Sequence, residues 1–461
     1  MEDRKTVVIG GASGFVGKLL AGMLAEDFEV IGLSRFKKDP KPHLQYRECD
    51  LFSLLDAKRG LEGADYAVYL VHSMMPSARL TQGSFQDMDL IVADHFARAA
   101  KAAGVKQIIY LGGLIPKNVV LSAHLNSRLE VEKTLGSYGV PVTTLRAGLI
   151  LGPEGSSFQI LSRLVGRLPI MVSPAWTSTK TEAISDQDVV SLIKFSLGNE
   201  SVFGKTFDVG SGDVMSYREM MKTTALILGK KVWVIPVPVF SPELSRLWVT
   251  LVTGAPKALV KPLIQSLRYP MLAEDHRLQK MSGIKALSFV ESLKRALGSG
   301  RSKVAQPRAF LGANGKSVGD VRSVQRLPLP PGKNAEWVAK EYLRWLPGIL
   351  PVLLKVDVFE DGTAEFRFRF LKKPLLLLKR SAELSTPDRQ LLYIKGGLLA
   401  QSIGRGRLEF LETRGLNSIL AAVHEYRPSL PWIIYSYTQA IVHQWVMHSF
   451  GKHLKKISGT I

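Results

Sequence analysis

The chain has 461 residues, of which 46% are hydrophobic and 22% are charged, and its net charge is +21 at pH 7. This length exceeds what one hydrophobic core supports and predicts two or three domains, while the composition excludes a disordered or collagen-like chain. The positive charge favours anionic partners such as phosphate cofactors or acidic lipids, and no nucleic-acid-binding motif accompanies it.

The first 150 residues alternate between short apolar strands and helices of ten or more residues. The strand-like runs are KTVVIGG, FEVIGLSR, ADYAVYLVHS, VKQIIYLGG and VPVTTLRAGLILG. The runs with helical spacing are GFVGKLLAGMLAED, MDLIVADHFARAAKAAG and SRLEVEKTLGSYG. This alternation predicts βαβ units with right-handed crossovers, and therefore a doubly wound α/β fold around a parallel sheet.

A smaller subdomain is predicted from about residue 153 to residue 297, where the alternation loosens. Ser185 or Asp186 is a suitable N-cap for an amphipathic run within it. We therefore predict one domain over residues 1–297. Residues 298–322 are rich in Gly, Ser, Lys and Arg without periodicity, which indicates a linker.

The pattern changes after the linker. Residues 323–461 begin with a helical run, continue with strand-like runs and end with a long helical run. Glu360-Asp361-Gly362 is a hairpin signal, and the alternation of charged and Phe residues after it is typical of a half-buried strand. These features predict a separate α+β domain with an antiparallel sheet.

Three glycines follow the first strand with the spacing G-x-x-G-x-x-G. Gly11 permits a tight turn, Gly14 allows a pyrophosphate to approach the backbone, and Gly17 allows the helix to pack closely on the strand. The helix that follows directs free N–H groups and the positive end of its dipole towards a phosphate. The motif predicts a dinucleotide site, with Ser13 and Phe15 among the residues that contact the cofactor.

The end of the second strand predicts which dinucleotide is preferred. An NAD site usually carries Asp or Glu there, whereas this chain has Ser34 and Arg35, followed by Lys37 and Lys38. Arg35 can pair with a 2′-phosphate and stack on adenine. We therefore predict NADP rather than NAD as the cofactor, and we interpret the two lysines as a solvated loop.

Polar residues also follow the next two strands. Asp50 and Leu51 follow the third strand and are expected to border the adenine. His72 and Ser73 follow the fourth strand and are expected near the nicotinamide half of the cofactor. A turn cap is the alternative interpretation of this second pair.

Residues 5–295 resemble the short-chain dehydrogenase/reductase superfamily in its extended, atypical branch. GGASGFVG, CDL, YLGGL, LRAGLILGP and FDVGSGDVMSYREMM follow one another in the order of that family. The resemblance is strongest to the NmrA-like and complex I accessory-subunit-like groups, which are related to the epimerases and dehydratases. It implies a Rossmann domain that binds a nicotinamide dinucleotide.

The same family uses a Ser after the fifth strand and a Tyr-x-x-x-Lys motif on the next helix. This chain has Gly112 and Gly113 where the serine is expected, and His124 and Arg128 at the Tyr and Lys positions. His124 is a candidate acid–base group, Arg128 a candidate ligand for a ribose or phosphate, and His72 a second candidate histidine. An inactive pocket and a plain surface helix are the alternatives that the sequence leaves open.

The order of elements in residues 323–461 resembles the helix-grip fold of START and polyketide-cyclase-like proteins. That resemblance implies an apolar cavity between the sheet and the last helix, and rests on element order alone. Five residues near the end of the chain are candidates to line it, with membership of the core as the alternative: Trp432, Tyr435, Tyr437, His443 and Trp445.

Two functions follow from these observations. The first is an NADP(H)-dependent oxidoreductase that reduces a carbonyl of a hydrophobic substrate, and the second is a non-catalytic NADP(H)-binding module coupled to a domain for a lipid or other hydrophobic ligand.

A single cysteine, Cys49, and the absence of a signal-peptide pattern favour a cytoplasmic protein. The apolar run Leu430–Met447 and the basic C-terminal domain leave a peripheral membrane contact open. No oligomeric state is predicted.

Overall fold

The computed structural model describes residues 4–73, 80–237, 242–255, 260, 264–298, 321–401 and 404–459. The chain divides into two compact units, and one division falls within the helix Phe85–Ala102. The first unit comprises Met1–Met75 and Val92–Asn314, and the second comprises Pro76–Ile91 and Gly315–Ile461. Residues 299–320 of the predicted linker lie outside the described residues, so the domain boundaries around it stay predictions.

The core of the first unit is a seven-stranded parallel sheet. Its strands are β1 (Thr6–Gly10), β2 (Glu29–Ser34), β3 (Leu44–Glu48), β4 (Tyr66–Tyr69), β6 (Gln107–Gly113), β7 (Val142–Ala147) and β11 (Thr206–Val209), while β5 (Leu80–Gln82) belongs to the second unit. The strand order is β11-β7-β6-β4-β1-β2-β3. Consecutive crossovers run in one direction from β1 to β3 and in the other from β4 to β11, which confirms the doubly wound fold.

Helices connect and cover these strands. They are α1 (Phe15–Leu24), α2 (Leu54–Leu61), α3 (Phe85–Ala102), α4 (Ala123–Gly136), α5 (Ser156–Arg167), α6 (Asp186–Ser196), α7 (Tyr217–Ile227), α8 (Pro242–Thr253), α9 (Arg277–Ser282) and α10 (Phe289–Gly298). Helix α1 buries Gly17, Leu20, Ala21 and Leu24, which recur at the helical spacing of three and four residues. This stripe fixes the side of α1 that packs on the sheet.

The subdomain predicted from about residue 153 contributes β11 to the main sheet and also forms two small sheets. Their strands are β8 (Leu149–Leu151), β9 (Ile170–Pro174), β10 (Lys180–Ser185), β12 (Val214–Ser216) and β13 (Trp233–Val237). One sheet has the order β12-β10-β8, and β9 pairs in parallel with β13. The Ser185 side chain accepts hydrogen bonds from the N–H groups of Gln187 and Asp188, which confirms the predicted N-cap of α6.

The second unit contains an antiparallel sheet with helices packed on one face. Its elements are β14 (Val321–Pro328), α11 (Ala335–Trp345), β15 (Leu354–Val358), β16 (Thr363–Phe368), β17 (Leu376–Arg380), β18 (Arg389–Gly396), β19 (Arg407–Thr413), β20 (Ser418–Tyr426), α12 (Trp432–Tyr437) and α13 (Gln439–Ile457). The antiparallel order is β15-β16-β17-β18-β19-β20-β14, and β5 pairs in parallel with β14 at the edge. A mixed fold with one parallel sheet and a separate antiparallel sheet domain is thus confirmed.

Aromatic side chains join the helices of the second unit to one face of this sheet. The ring of Tyr342 on α11 lies 5.5 Å from that of Phe410 on β19 and 5.1 Å from that of Phe450 on α13, measured between centroids. The predicted closing helix is interrupted at Thr438, where α12 ends and α13 begins. The helix-grip assignment stays a prediction.

The five residues proposed to line a cavity in this unit have different surroundings. Tyr435 is buried, and Trp432 and His443 are half-buried. Tyr437 and Trp445 are exposed, so for these two residues both the expected cavity lining and the alternative of core membership are wrong. They lie on the outer side of the helices that cover the core. Within the described part of the chain, no helix is long and apolar enough to cross a membrane.

Candidate functional site

The glycine turn after β1 has the geometry that the motif predicts. Gly11 has φ +88°, in the left-handed region where other residues are strained. A Cβ on Gly11 would also lie 3.0 Å from the backbone carbon and oxygen of Leu70. The N–H of Gly14 donates to the carbonyl oxygen of Gly11 at 2.9 Å and closes the turn. The chain thus makes a tight turn between the end of β1 and the start of α1.

Gly17 is required for packing inside this turn. A Cβ at that position would overlap the carbonyl oxygen of Gly11 and would lie 2.8 Å from the Cα atom of Ala12. Both neighbours are backbone atoms, which cannot move aside as the end of a flexible side chain can. The third glycine therefore sets how closely α1 approaches the end of β1.

Gly14 differs because the space around it is open. It is exposed, and a Cβ there would meet only the carbonyl oxygen of Gly11, at 3.2 Å. Gly14 is the N-cap of α1, no side chain caps the helix, and no acidic residue lies in its first turn. The first N–H groups of a helix have no partner within the helix. An exposed, uncapped helix start beside a glycine fits a diphosphate.

The carboxyl ends of β1, β4 and β6 lie at the same edge of the sheet because the strands are parallel. The strand order reverses between β1 and β4, where doubly wound folds bind ligands. This edge carries the glycine turn after β1, His72 beyond β4, and Gly112 at the end of β6. The fold therefore brings the predicted phosphate turn to the same edge as two candidate residues from the nicotinamide side.

At the end of β2, Ser34 and Arg35 have different roles. The Ser34 hydroxyl donates to the carbonyl oxygen of Phe36 at 2.8 Å and accepts from its N–H at 3.3 Å, so it stabilises the turn. Arg35 is exposed, and Lys37 beside it is exposed as well. Lys38 is instead half-buried and lies over the ring of Tyr46, at 5.0 Å from its centroid, so it is only partly solvated.

The segment after β3 forms a fixed turn beside the end of β2. The N–H of Cys49 donates to the carbonyl oxygen of Ser34, and the Asp50 carboxylate accepts from the N–H of Phe52 at 3.2 Å. Leu51 is buried. Burial raises the pKa of the Cys49 thiol to about 12, so this cysteine is no nucleophile. This turn contains Asp50 and Leu51, the two residues that were expected to border the adenine.

Helix α4 brings the catalytic candidates to the end of β6. Ser122 caps the helix by accepting from the N–H of Leu125. A Cβ on Gly113 would lie 3.6 Å from Cγ of Arg128, and the Tyr110 hydroxyl donates to the backbone oxygen of Arg128 at 3.2 Å. The strand end that lacks a serine thus faces the residue at the family's lysine position, and Arg128 is buried there.

His124 lies one turn before Arg128 and is neutral at physiological pH. Burial lowers its pKa to about 3, and the positive charge of Arg128 and the proximity of His72 act in the same direction. Its Nδ1 atom is buried and has no hydrogen-bond partner among the residues that the structure describes. A neutral imidazole is a weak acid but can still donate or accept a hydrogen bond.

The first unit contains an apolar cavity of about 110 Å³ that was not predicted from the sequence. Among its lining residues are Trp176, Tyr217, Met220, Ile264 and Leu267. The Ser266 hydroxyl, next to this lining, is 2.9 Å from the Ser122 hydroxyl that caps α4. One short segment therefore contributes to the cavity wall and contacts the start of the helix that carries His124. Met220, Trp176 and Tyr217 are residue types that occur in any hydrophobic core, so nothing in the sequence distinguishes this cavity from a packed core.

A larger cleft, of about 1110 Å³, lies along helix α1. Its lining includes Lys18, Lys38, Asp186 and Arg295 but none of the three motif glycines and neither candidate histidine. Burial and the proximity of Lys18 lower the pKa of Lys38. Phe15, which directly follows Gly14 and is a predicted cofactor contact, also lines this cleft. The cleft therefore borders the end of the glycine turn, although the three glycines themselves do not line it.

Residues 11–162 match a family model described as NAD(P)H-binding. This range contains each residue that the sequence predicted for the cofactor and for catalysis. It also covers the glycine turn and helix α4. The first unit therefore carries an NAD(P)H-binding domain, which confirms the resemblance at this level.

The known proteins similar to this chain include curated relatives and solved structures. The auxiliary protein GraX of Staphylococcus aureus is 33% identical over 141 residues, which are 30% of this chain and 42% of GraX. This chain thus spans less than half the length of that relative. A nucleoside-diphosphate-sugar epimerase from Staphylococcus aureus is 16% identical, with a TM-score of 0.52, and the match covers 63% of this chain and 99% of the epimerase.

A third similar protein is the triphenylmethane reductase of Citrobacter sp., solved with NADP(H). It is 18% identical, with a TM-score of 0.51, and the match covers 64% of this chain and the whole of the reductase. At such identities, the two solved structures show a common fold. The first unit thus shares its fold with this epimerase and this reductase.

Proposed function

We propose that this protein is an NADPH-dependent reductase that transfers hydride to a carbonyl or enone carbon of a hydrophobic small molecule. The observation that carries the proposal is the buried cation of Arg128 at the end of β6, on the sheet edge that also holds the uncapped glycine turn. NADPH, when bound, supplies the hydride. The residues described below bind, orient and stabilise charge.

Binding rests on the glycine turn and on Arg35. The first N–H groups of α1 hold the diphosphate, and the absence of a Cβ at Gly14 allows it to approach. Arg35 is exposed at the end of β2, where a 2′-phosphate would lie, and can form a bidentate pair with it. No carboxylate stands directly at the end of β2, where Ser34 and Arg35 lie, to bind a free 2′-hydroxyl or to repel the phosphate. These contacts support NADP over NAD.

The role of Arg128 follows from its fixed charge. Hydride addition to a carbonyl carbon leaves a negative charge on the oxygen, which a cation within a water-poor site stabilises. A guanidinium is charged at neutral pH, unlike an imidazole whose charge depends on small shifts in its surroundings. His124 is neutral and donates a hydrogen bond to the same oxygen, while the proton that completes the alcohol comes from solvent. This division of roles replaces the tyrosine mechanism of the family.

The apolar cavity supports a hydrophobic substrate. It is lined mainly by hydrocarbon, aromatic and thioether groups. Burial raises the pKa of Tyr217 in its wall to about 12, so the phenol stays neutral. The contact between Ser266 and Ser122 joins the cavity wall to the start of α4. We propose that an apolar part of the substrate occupies this cavity.

Single-turnover oxidation of bound NADPH against a panel of aldehydes, ketones, enones and quinones tests the reaction. We expect loss of NADPH absorbance that depends on the acceptor and is faster for apolar acceptors than for polar ones. Tight NADPH binding without turnover by any acceptor would contradict the reductase. That result would support a non-catalytic NADP(H)-binding module, which the presence of Gly, His and Arg at the family's three catalytic positions favours.

Replacement of Arg35 by glutamate tests the cofactor preference. We expect the NADPH affinity to fall about tenfold or more, because a bidentate charged pair is lost and a repulsion is added. The NADH affinity is expected to change little, and fluorescence titration measures both. Lys37→Glu is the matched control, because Lys37 is also exposed and only two residues away. An equal loss in both variants, or a tenfold NADH preference in the parent protein, would contradict a specific role for Arg35.

A further inference from the structure

Four segments of the second unit meet beyond the ends of its strands: 350–353, 369–375, 397–401 and 427–437. Backbone hydrogen bonds join them in a row. The N–H of Arg369 donates to the carbonyl oxygen of Leu353, that of Leu398 to Pro374, and that of Ser429 to Leu399. We call this surface the apolar rim.

The apolar rim exposes large hydrophobic side chains from each of its segments. Val352 is 81% exposed, Phe370 69%, Ile433 73% and Tyr437 77%, and Leu398 is exposed as well. Side chains this apolar are normally buried, and a contiguous group of them indicates a docking surface. The core does not require the outer residues of α12, because Tyr435 on its inner side already packs against Tyr426 and Trp432.

The charge of the apolar rim is of one sign. Arg369, Lys372 and Lys373 are exposed, and the four segments contain no Asp or Glu. Two copies of this surface would bring like charges together, whereas an anionic lipid surface complements them. Hydrophobic side chains flanked by cations are the pattern of segments that lie in the membrane interface.

We propose that the apolar rim docks the protein peripherally on an anionic lipid bilayer. Val352, Phe370, Ile433 and Tyr437 enter the boundary between headgroups and acyl chains, and the lysines contact the headgroups. No step of this docking uses the dinucleotide site. On the proposed function, this docking would bring the reductase to the lipid bilayer, where hydrophobic substrates concentrate.

Flotation of the full chain with vesicles tests the proposal without cofactor or substrate. We expect binding to phosphatidylcholine vesicles that contain phosphatidylglycerol, weaker binding to phosphatidylcholine alone, and a decrease with added salt. The double variant Lys372→Glu/Lys373→Glu is expected to lower the affinity for anionic vesicles about tenfold or more. Phe370→Ser/Ile433→Ser is expected to weaken binding at every salt concentration. Both changes are at exposed positions, and thermal unfolding checks that the fold is retained.

The control for the charge change is Lys455→Glu/Lys456→Glu. These two lysines are exposed in the last turn of α13, about 24 Å from its start at 1.5 Å per residue. We expect this variant to bind vesicles as the parent does. The proposal is overturned by absence of vesicle binding, or by equal losses in the two lysine variants. Self-association that Phe370→Ser/Ile433→Ser abolishes, without vesicle binding, would overturn it too and assign the rim to a second copy of the chain.

Discussion

Replacing Gly14 by valine is expected to lower the affinity for NADPH about a hundredfold or more while the protein stays folded. The backbone at Gly14 has φ −74° and ψ 175°, which any residue adopts, and a Cβ there meets one atom of the turn. The valine side chain would instead occupy the place of the diphosphate. Hydrogen bonds to a charged group contribute about 1.5–3 kcal/mol each, so the loss of two corresponds to a hundredfold or greater decrease in affinity at about 1.4 kcal/mol per factor of ten.

Fluorescence titration with NADPH measures this effect, and two other glycines of α1 serve as controls. Gly17→Val is expected to destabilise the fold itself, because its side chain would overlap the backbone of Gly11. Gly22→Ala is expected to leave binding unchanged and to stabilise the helix by about 0.5–1 kcal/mol, because no atom lies near its Cβ. A folded Gly14→Val protein that binds NADPH as tightly as the parent would refute the proposed phosphate site.

The glycine turn was predictable from the sequence because it is local. A strand, a turn and a helix that follow one another within about twenty residues constrain the backbone at each glycine. The predicted roles of Gly11 and Gly17 are confirmed by a positive φ and by a backbone overlap, respectively. The same locality explains why the N-cap at Ser185 was predicted correctly.

Features that depend on distant residues were not predictable in this way. Strand β5 has three residues, and it exists because it pairs with β14, whose partner residues lie more than 200 positions later. No local pattern reports such a pairing. The interruption at Thr438 is a second such feature: the apolar run reads as one helix, whereas the backbone at Thr438 has φ −125° and ψ −84°, outside the helical region, and divides the run into two helices.

In the candidate site, too, the local arrangement was predictable from the sequence, whereas the properties that depend on the folded chain were not. The sequence placed His124 and Arg128 one helical turn apart, and the structure brings Arg128 to Gly113. An ordinary histidine has a pKa of about 6.5, which made His124 a candidate proton donor. Burial and the charge of Arg128 lower this pKa to about 3, and both causes arise only from the folded chain. The candidate that retains a charge at neutral pH is therefore Arg128.

Replacing Arg128 by methionine is expected to slow hydride transfer about a hundredfold to a thousandfold, the range measured when one oxyanion donor is removed from an active site. Methionine fills much of the same volume beside Gly113 but cannot stabilise negative charge on the acceptor oxygen. The rate is measured in a single turnover with saturating NADPH and an apolar carbonyl acceptor. Arg128→Lys retains the cation at the position where the family has lysine, and we expect it to retain more of the rate than the methionine variant does.

Thermal unfolding and NADPH titration separate this role from a structural one, because Arg128 is buried and its backbone oxygen accepts from Tyr110. If the charge of Arg128 acts on the reaction, Arg128→Met lowers the rate of hydride transfer more than it lowers NADPH affinity or thermal stability. Arg128→Lys then restores part of that rate. His124→Phe is expected to have a smaller effect than Arg128→Met, because it removes one hydrogen bond and no charge. If Arg128→Met folds, binds NADPH and transfers hydride at the parent rate, charge stabilisation by Arg128 is refuted and the reductase needs another electrophile.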